Sequence, residues 1–316
     1  MELGKTPIVF LGTDERRNAL WMKRDDLLPF CFGGNKARIA DEFMRDMEAQ
    51  GRDHMIAYGN ARSNLCRALS NLCAARGVPC TLLSPADDDG RREASYNQQM
   101  ARAFGAEVVP CLKSNVATAV DEALAQSRAR GRKPYYIYGN RMGDGNLQTP
   151  VRAYEKVYRE LLEQQTELGV CFDELFLATG TGMTQAGLLC GQSRLGGEMR
   201  IRGISIARSE ESGKAHIRRY LQGSLGGAAD GIDISLTDIY ALSYGAYSAE
   251  MVDCARDVMT RYGVPLDLTY TGKAFYGMRC ELSRRELHDK QVLFLHTGGT
   301  PLFFDKATEI FGLGGR

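Results

Sequence analysis

A chain of 316 residues, 44% of them hydrophobic and 25% charged, has globular-average composition and ample material for one or two buried cores, which argues against disorder. Its 40 basic and 39 acidic residues leave a formal charge of +1, which argues against a broad nucleic-acid or anionic-membrane surface. Apolar runs such as Val292–Leu295 are far too short to span a bilayer, and the start, Met1-Glu-Leu-Gly-Lys5, lacks the apolar core of a signal peptide, so a cytoplasmic location is expected.

Along the chain, short apolar runs alternate with amphipathic stretches. Strands are expected at Ala19–Lys23, Met55–Tyr58, Cys80–Leu83, Glu107–Pro110, Tyr135–Tyr138, Glu174–Ala178, Ile201–Ala207 and Val292–His296. Helices are expected at Asn35–Ala49, Asn64–Arg76, Arg92–Phe104, Val116–Arg130, Pro150–Glu167, Thr184–Arg194, Glu211–Gln222, Ala249–Tyr262 and Gly272–Leu287. In the second of these, Leu65, Leu69, Leu72 and Cys73 fall on one helical face. Gly131 with Pro134, and Gly77 with Pro79, supply stop signals. Alternating β and α elements imply an α/β fold with parallel sheets covered on both faces. No Pro-, Gly- or Ser-rich linker divides the chain. A second domain must therefore be an insertion: 48–150 as a small α/β domain, with 1–47 and 151–316 forming the larger one.

The nine cysteines, at 31, 66, 73, 80, 111, 171, 190, 254 and 280, contain no CxxC pair, and an odd number without a secretion signal reads as reduced, mostly buried thiols. The four histidines, 54, 216, 288 and 296, lack metal-ligand spacing, so no metal is expected.

Sites in open α/β sheets lie beyond the C-terminal ends of strands. Glycine-rich polar loops stand at four such places: Gly33–Lys36, Gly59–Asn64, Thr179–Thr184 and His296–Gly299. Thr179-Gly-Thr-Gly-Met-Thr184 runs from an apolar strand into a helix, where backbone N–H groups and the helix dipole favour an anion. It lacks the Gly-Lys-Ser/Thr of a Walker loop and the third glycine of a dinucleotide fingerprint, so a phosphate site and a plain tight turn both stand. In Phe32-Gly-Gly-Asn-Lys36, a lysine at a helix start opposes the dipole; its pKa is expected to be lowered by the helix-end charge, giving the free amine that a Schiff base needs. A solvated surface lysine is the alternative. Ser63 and Asn64 open a helix and also suit plain N-caps.

A phosphate cradle with a primed lysine suggests pyridoxal 5'-phosphate. The ordered set Lys23-Arg-Asp-Asp-Leu, Phe32-Gly-Gly-Asn-Lys36-Ala-Arg, Ser63-Asn64, Gly180-Thr-Gly-Met-Thr184-Gln-Ala-Gly, Tyr244-Gly245, Tyr270-Thr-Gly-Lys-Ala and His296-Thr-Gly-Gly-Thr-Pro resembles the fold-type II pyridoxal phosphate enzymes (tryptophan synthase β-like). Within them it resembles the D-cysteine desulfhydrase and 1-aminocyclopropane-1-carboxylate (ACC) deaminase family. The resemblance implies two open, mostly parallel sheets, a homodimer and an amino-acid substrate. It implies that Lys36 holds the cofactor covalently and moves protons. Asn64 matches the asparagine bonded to the pyridoxal 3′ oxygen, and Gly180, Thr181, Gly182, Met183 and Thr184 match the phosphate loop. Ser63 matches a serine near the substrate carboxylate, and Tyr244 and Tyr270 match tyrosines facing the substrate. Thr271 and Thr297 match positions on the pyridine side, where ACC deaminases carry glutamate and leucine. Lys273 is expected on the surface of a helix start, with no cofactor role.

The chain departs from the family at Met183, where glycine is usual, at Ile39, where a second lysine is common, and at Leu65, where histidine or glutamine is usual. The position usually held by glutamine before Ser63 is Arg62. The implied reaction is β-elimination from a β-substituted amino acid, D-cysteine desulfhydrase-like. The alternatives are ACC deamination, a β-replacement or specialised lyase, and a catalytically silent small-molecule or nucleotide binder.

Overall fold

The computed structural model describes residues 3–30, 32–86 and 95–313. In chain order its main elements are β1 (Ile8–Thr13), β2 (Ala19–Lys23), α1 (Asn35–Ala49), β3 (His54–Tyr58), α2 (Asn64–Ala75), β4 (Cys80–Ala86), α3 (Tyr96–Ala103), β5 (Glu107–Leu112), α4 (Val116–Ala129) and β6 (Pro134–Tyr136). There follow α5 (Gln148–Leu168), β7 (Glu174–Thr179), α6 (Met183–Leu195), β8 (Arg200–Ser205), α7 (Glu210–Leu225), β9 (Ser235–Thr237), α8 (Ala249–Tyr262), α9 (Thr271–Arg284), β10 (Gln291–Leu295), α10 (Thr300–Phe304) and α11 (Ala307–Ile310). The helix expected from Arg92 begins at Tyr96, because Ser95 in extended backbone caps it, accepting from Asn97 N; Arg92–Ala94 lie outside the described residues.

The α/β class holds. One sheet has the order β1-β2-β10-β7-β8-β9, parallel except for β1 against β2; the other, β5-β4-β3-β6, is parallel throughout. The chain divides into two compact units, Met1–Leu28 with Val151–Arg316, and Pro29–Pro150. The boundary expected at 47/48 therefore moves to 28/29, and α1, with Lys36, joins the inserted unit. The physical reason is packing: α1 lies against α2, whose sequence neighbours β3 and β4 form that unit's sheet.

In the inserted unit, Leu65, Leu69, Leu72 and Cys73 of α2 are all buried, as the helical stripe requires. Each such leucine contributes roughly 1.5–3 kcal/mol. In the larger unit, Phe176, Ile204 and Phe294 of the sheet meet Val258 of α8 and Phe275 and Met278 of α9 in one core. Helix α6 sits close to α5 because Gly187 and Gly191 face Tyr154 and Tyr158; a Cβ at either would fall 2.5 Å from the tyrosine Cβ. That contact fixes the helix whose first turn follows the glycine loop. Helix α5 starts at Gln148, before the expected Pro150, because a proline in the first turn gives up no helical hydrogen bond.

Lys23-Arg-Asp-Asp is a structural knot. The wholly buried Lys23 donates to Glu160 (2.6 Å) and Gln164 (2.7 Å), while Asp25 accepts from Tyr154 (2.6 Å) and Thr6 (2.7 Å). The eight described cysteines are free, and Cys31 lies outside the described residues. Among the described residues, no helix is long and apolar enough to cross a membrane.

Candidate active site

The candidate residues fall into two groups, one in each unit. In the inserted unit, Phe30, Phe32, Gly33 and Gly34 take φ values of 69°, 63°, 58° and 89°. Two non-glycine residues in the left-handed region store backbone strain, which concentrates at functional segments. The bend delivers Lys36 into the first turn of α1, which has no side-chain cap. Lys36 is half-buried by surface, yet desolvation lowers its amine from 10.5 to about 8. Desolvation, rather than the expected helix-end charge, is the cause. The amine makes no hydrogen bond or ion pair with any described residue. Ile39 is fully buried, so that position offers no cation, and Leu65 is buried without a donor.

Ser63 caps α2, accepting from Cys66 N at 3.2 Å. Its hydroxyl also hydrogen-bonds the Cys66 thiol, holding the thiol pKa down against burial. Asn64 opens the same helix. Its Oδ1 accepts from Arg67 Nη1 and, at 3.0 Å, from Asn97 Nδ2.

In the larger unit, the loop after β7 ends at Gly182, whose φ of 87° is left-handed, and a Cβ there would fall 2.8 Å from Ile217 Cγ1. Gly182 is the N-cap of α6 and gives it no side-chain cap, so the first N–H groups of the helix lack the usual internal partner. Such a start suits a phosphate. Met183, the departure from glycine, sits in helical backbone and is buried, so no glycine is required there. Thr184 is buried, Thr181 exposed. Arg208 Nε donates to the Gly180 carbonyl at 3.2 Å.

Tyr244 and Tyr270 come together, hydroxyl to hydroxyl at 2.7 Å, with Tyr270 Cε1 3.9 Å from where a Gly180 Cβ would stand. Lys273 overturns the surface expectation. It is wholly buried and donates to the Ile206 carbonyl at 2.6 Å; desolvation lowers its pKa and Asp267 partly restores it.

Thr271 is wholly buried, and its hydroxyl is committed: it donates to Asp267 Oδ2 at 2.8 Å and accepts from Asp267 N at 3.0 Å. Asp267 also accepts from the N–H groups of Thr269, Tyr270 and Thr271. Burial raises its pKa, against those bonds. A Cβ on Gly299 would fall 2.3 Å from Asp267 Oδ2, so the loop after β10 lies on this carboxylate. Thr297 there has no hydrogen-bond partner for its hydroxyl among the described residues. The resemblance paired the two threonines; the structure leaves only Thr297 with a spare proton.

Sequence reasoning missed Asp267, Arg67 and Asn97. Asp267 was findable, as a carboxylate just before a helix start. Arg67 and Asn97 left no local signal.

These residues fit pyridoxal phosphate on three observations: an unbonded lysine amine of lowered pKa, an uncapped helix start for the phosphate, and an asparagine amide with its oxygen already satisfied. The comparisons agree. A family model described as pyridoxal-phosphate dependent enzyme matches residues 1–298. D-cysteine desulfhydrase of Yersinia pestis is 30% identical, over 95% of this chain and 92% of that protein. The crystal structure of an ACC deaminase homologue is 29% identical, with a TM-score of 0.82 over 98% of this chain and 94% of its own. O-ureido-L-serine synthase shares the fold at 17% identity, TM-score 0.70, covering 99% and 94% of the two chains. The chain therefore belongs to the family of pyridoxal-phosphate dependent enzymes.

Proposed function

We propose that the enzyme is a D-cysteine desulfhydrase-like lyase, eliminating the β-substituent of an amino acid to give pyruvate, ammonia and the leaving group. When bound, pyridoxal phosphate supplies an electron sink for charge developing at the substrate α-carbon. Lys36 would hold it, Asn64 would donate to its 3′ oxygen, and the N–H groups and Thr184 at the start of α6 would bind its phosphate. With a pKa near 8, the Lys36 amine can take or give a proton near neutral pH. On the resemblance Ser63 would stand near the substrate carboxylate, and the Tyr244–Tyr270 pair can hand a proton to the leaving atom.

The observation that carries elimination is that Thr271 spends its proton on Asp267, which leaves only the neutral Thr297 hydroxyl for the pyridine side. Asp267 already accepts from Thr269, Tyr270 and twice from Thr271. That carboxylate is spent on the start of α9 and does not replace the glutamate of ACC deaminases. A neutral hydrogen bond gives a weaker sink than a carboxylate does, which suits a good leaving group better than cleavage of a cyclopropane bond. The test is to offer D-cysteine, L-cysteine, other β-substituted alanines and ACC separately and assay the keto acid. Pyruvate from a β-substituted alanine supports the reading; 2-oxobutanoate from ACC alone overturns it. A homodimer in the cytoplasm is part of the proposal on the resemblance alone, and sedimentation velocity measures the assembly.

A further inference from the structure

We infer that Arg67 and Asn97 are positioning residues that lock the Asn64 amide with its nitrogen free to donate to an anionic oxygen. The amide orientations follow from two groups of fixed character. A guanidinium only donates, so the Asn64 and Asn97 atoms opposite Arg67 Nη1 are both carbonyl oxygens. The Arg62 carbonyl only accepts, so the Asn97 atom 2.8 Å from it is the nitrogen. That nitrogen also donates to Asn64 Oδ1 at 3.0 Å. No flip of either amide keeps these bonds.

Asn64 Nδ2 is then left with both protons and no hydrogen bond to any described residue. Arg67 is 1% exposed and Asn97 equally so, which makes the lock rigid. A guanidinium on the amide oxygen also polarises the amide, strengthening the N–H donors on its far side. The ligand chemistry this selects is an oxyanion rather than a neutral donor. The inference rests on the proposed contact between Asn64 and the 3′ oxygen of the cofactor, and deepens it: the donor is switched on by a buried cation three residues along α2.

The experiment is spectroscopic. The cofactor-loaded protein and its Asn64→Ala, Asn97→Ala, Arg67→Met and Arg67→Lys variants are compared at one fixed pH. The readouts are the ratio of visible to near-ultraviolet cofactor absorption, the cofactor Kd and the melting temperature. Asn64→Ala should move the ratio and weaken cofactor binding about 10- to 150-fold, the range of one hydrogen bond to a charged group. Asn97→Ala and Arg67→Met should move the ratio in the same direction, and Arg67→Lys should recover part of it. If Arg67→Met does not fold, Asn97→Ala and Arg67→Lys decide. A ratio that moves in Asn64→Ala but stays at the parent value in Asn97→Ala and the Arg67 variants overturns the lock and spares the Asn64 contact. A ratio unmoved even in Asn64→Ala removes that contact, and the lock's role with it.

Discussion

Two helix starts carry a lysine just after a glycine: Gly34-Asn-Lys36 opens α1, and Gly272-Lys273 opens α9. Desolvation lowers the pKa of both amines. They differ in what the amine is doing. Lys273 is wholly buried and tied to the Ile206 carbonyl, with Asp267 near enough to raise its pKa again. Lys36 keeps surface and has no partner among the described residues. A lowered pKa and a glycine-rich helix start therefore do not by themselves mark a reactive lysine. An amine becomes available chemistry when nothing in the protein already uses it.

The most severe way to break this contrast is Lys36→Ala. It should abolish the visible absorption of the loaded protein and turnover together, while the melting temperature of the cofactor-free protein stays near the parent's. An alanine variant that still turns over would assign the cofactor bond elsewhere, Lys273 being the first place to look.

Next in size is Thr184→Val at the start of α6. It removes a donor near an anion, worth about 1.5–3 kcal/mol for a charged hydrogen bond, or about 10- to 150-fold in cofactor Kd. A titration of cofactor absorbance measures it, and an unchanged Kd would remove the phosphate from this helix start.

The pKa difference can be sharpened by pH. An amine reacts in its free form, so the rate of cofactor reloading should rise with pH and level off above the lysine pKa. With a pKa of about 8, the free fraction of Lys36 grows about tenfold between pH 7 and pH 9 and little beyond. A rate still climbing steeply at pH 10 would mean that Lys36 titrates as an ordinary lysine.

Much of this molecule is legible in its sequence, for reasons that also explain what is not. Helices α1 and α8 and strand β2 have the expected bounds because their apolar spacing and end signals agree. Strand β1 was missed because its register shifts between Phe10 and Gly12, which breaks the alternation that marks a strand. Strand β9 is three residues long, too short for any period. The site shows the same division. Loops announce themselves through glycine, and the ordered motifs named the lysine, the asparagine and the two tyrosines. Their supports do not: Arg67 reads as the solvated face of an amphipathic helix, and Asn97 reaches Asn64 across 33 residues only through packing of α3 on α2. The commitment of Thr271 to Asp267 is local, four residues apart, but its direction needs coordinates.

The smallest expected effect falls on the other lysine. Lys273→Met keeps most of the side-chain volume but leaves the Ile206 carbonyl without its donor and takes a positive charge from beside Asp267. An unsatisfied buried acceptor costs about 1–3 kcal/mol. For a domain of this size each 1 kcal/mol lowers the melting temperature by roughly 2–4 °C. Because Ile206 also lies 3.4 Å from where a Gly180 Cβ would stand, a slight loosening should reach the phosphate loop and weaken cofactor binding a little, without removing the colour. Thermal melting with and without pyridoxal phosphate, alongside the visible spectrum, separates these effects. A variant that loses its colour at an unchanged melting temperature would reverse the roles given to the two lysines; one that melts earlier and stays yellow keeps Lys273 as the brace of α9 and Lys36 as the reactive amine.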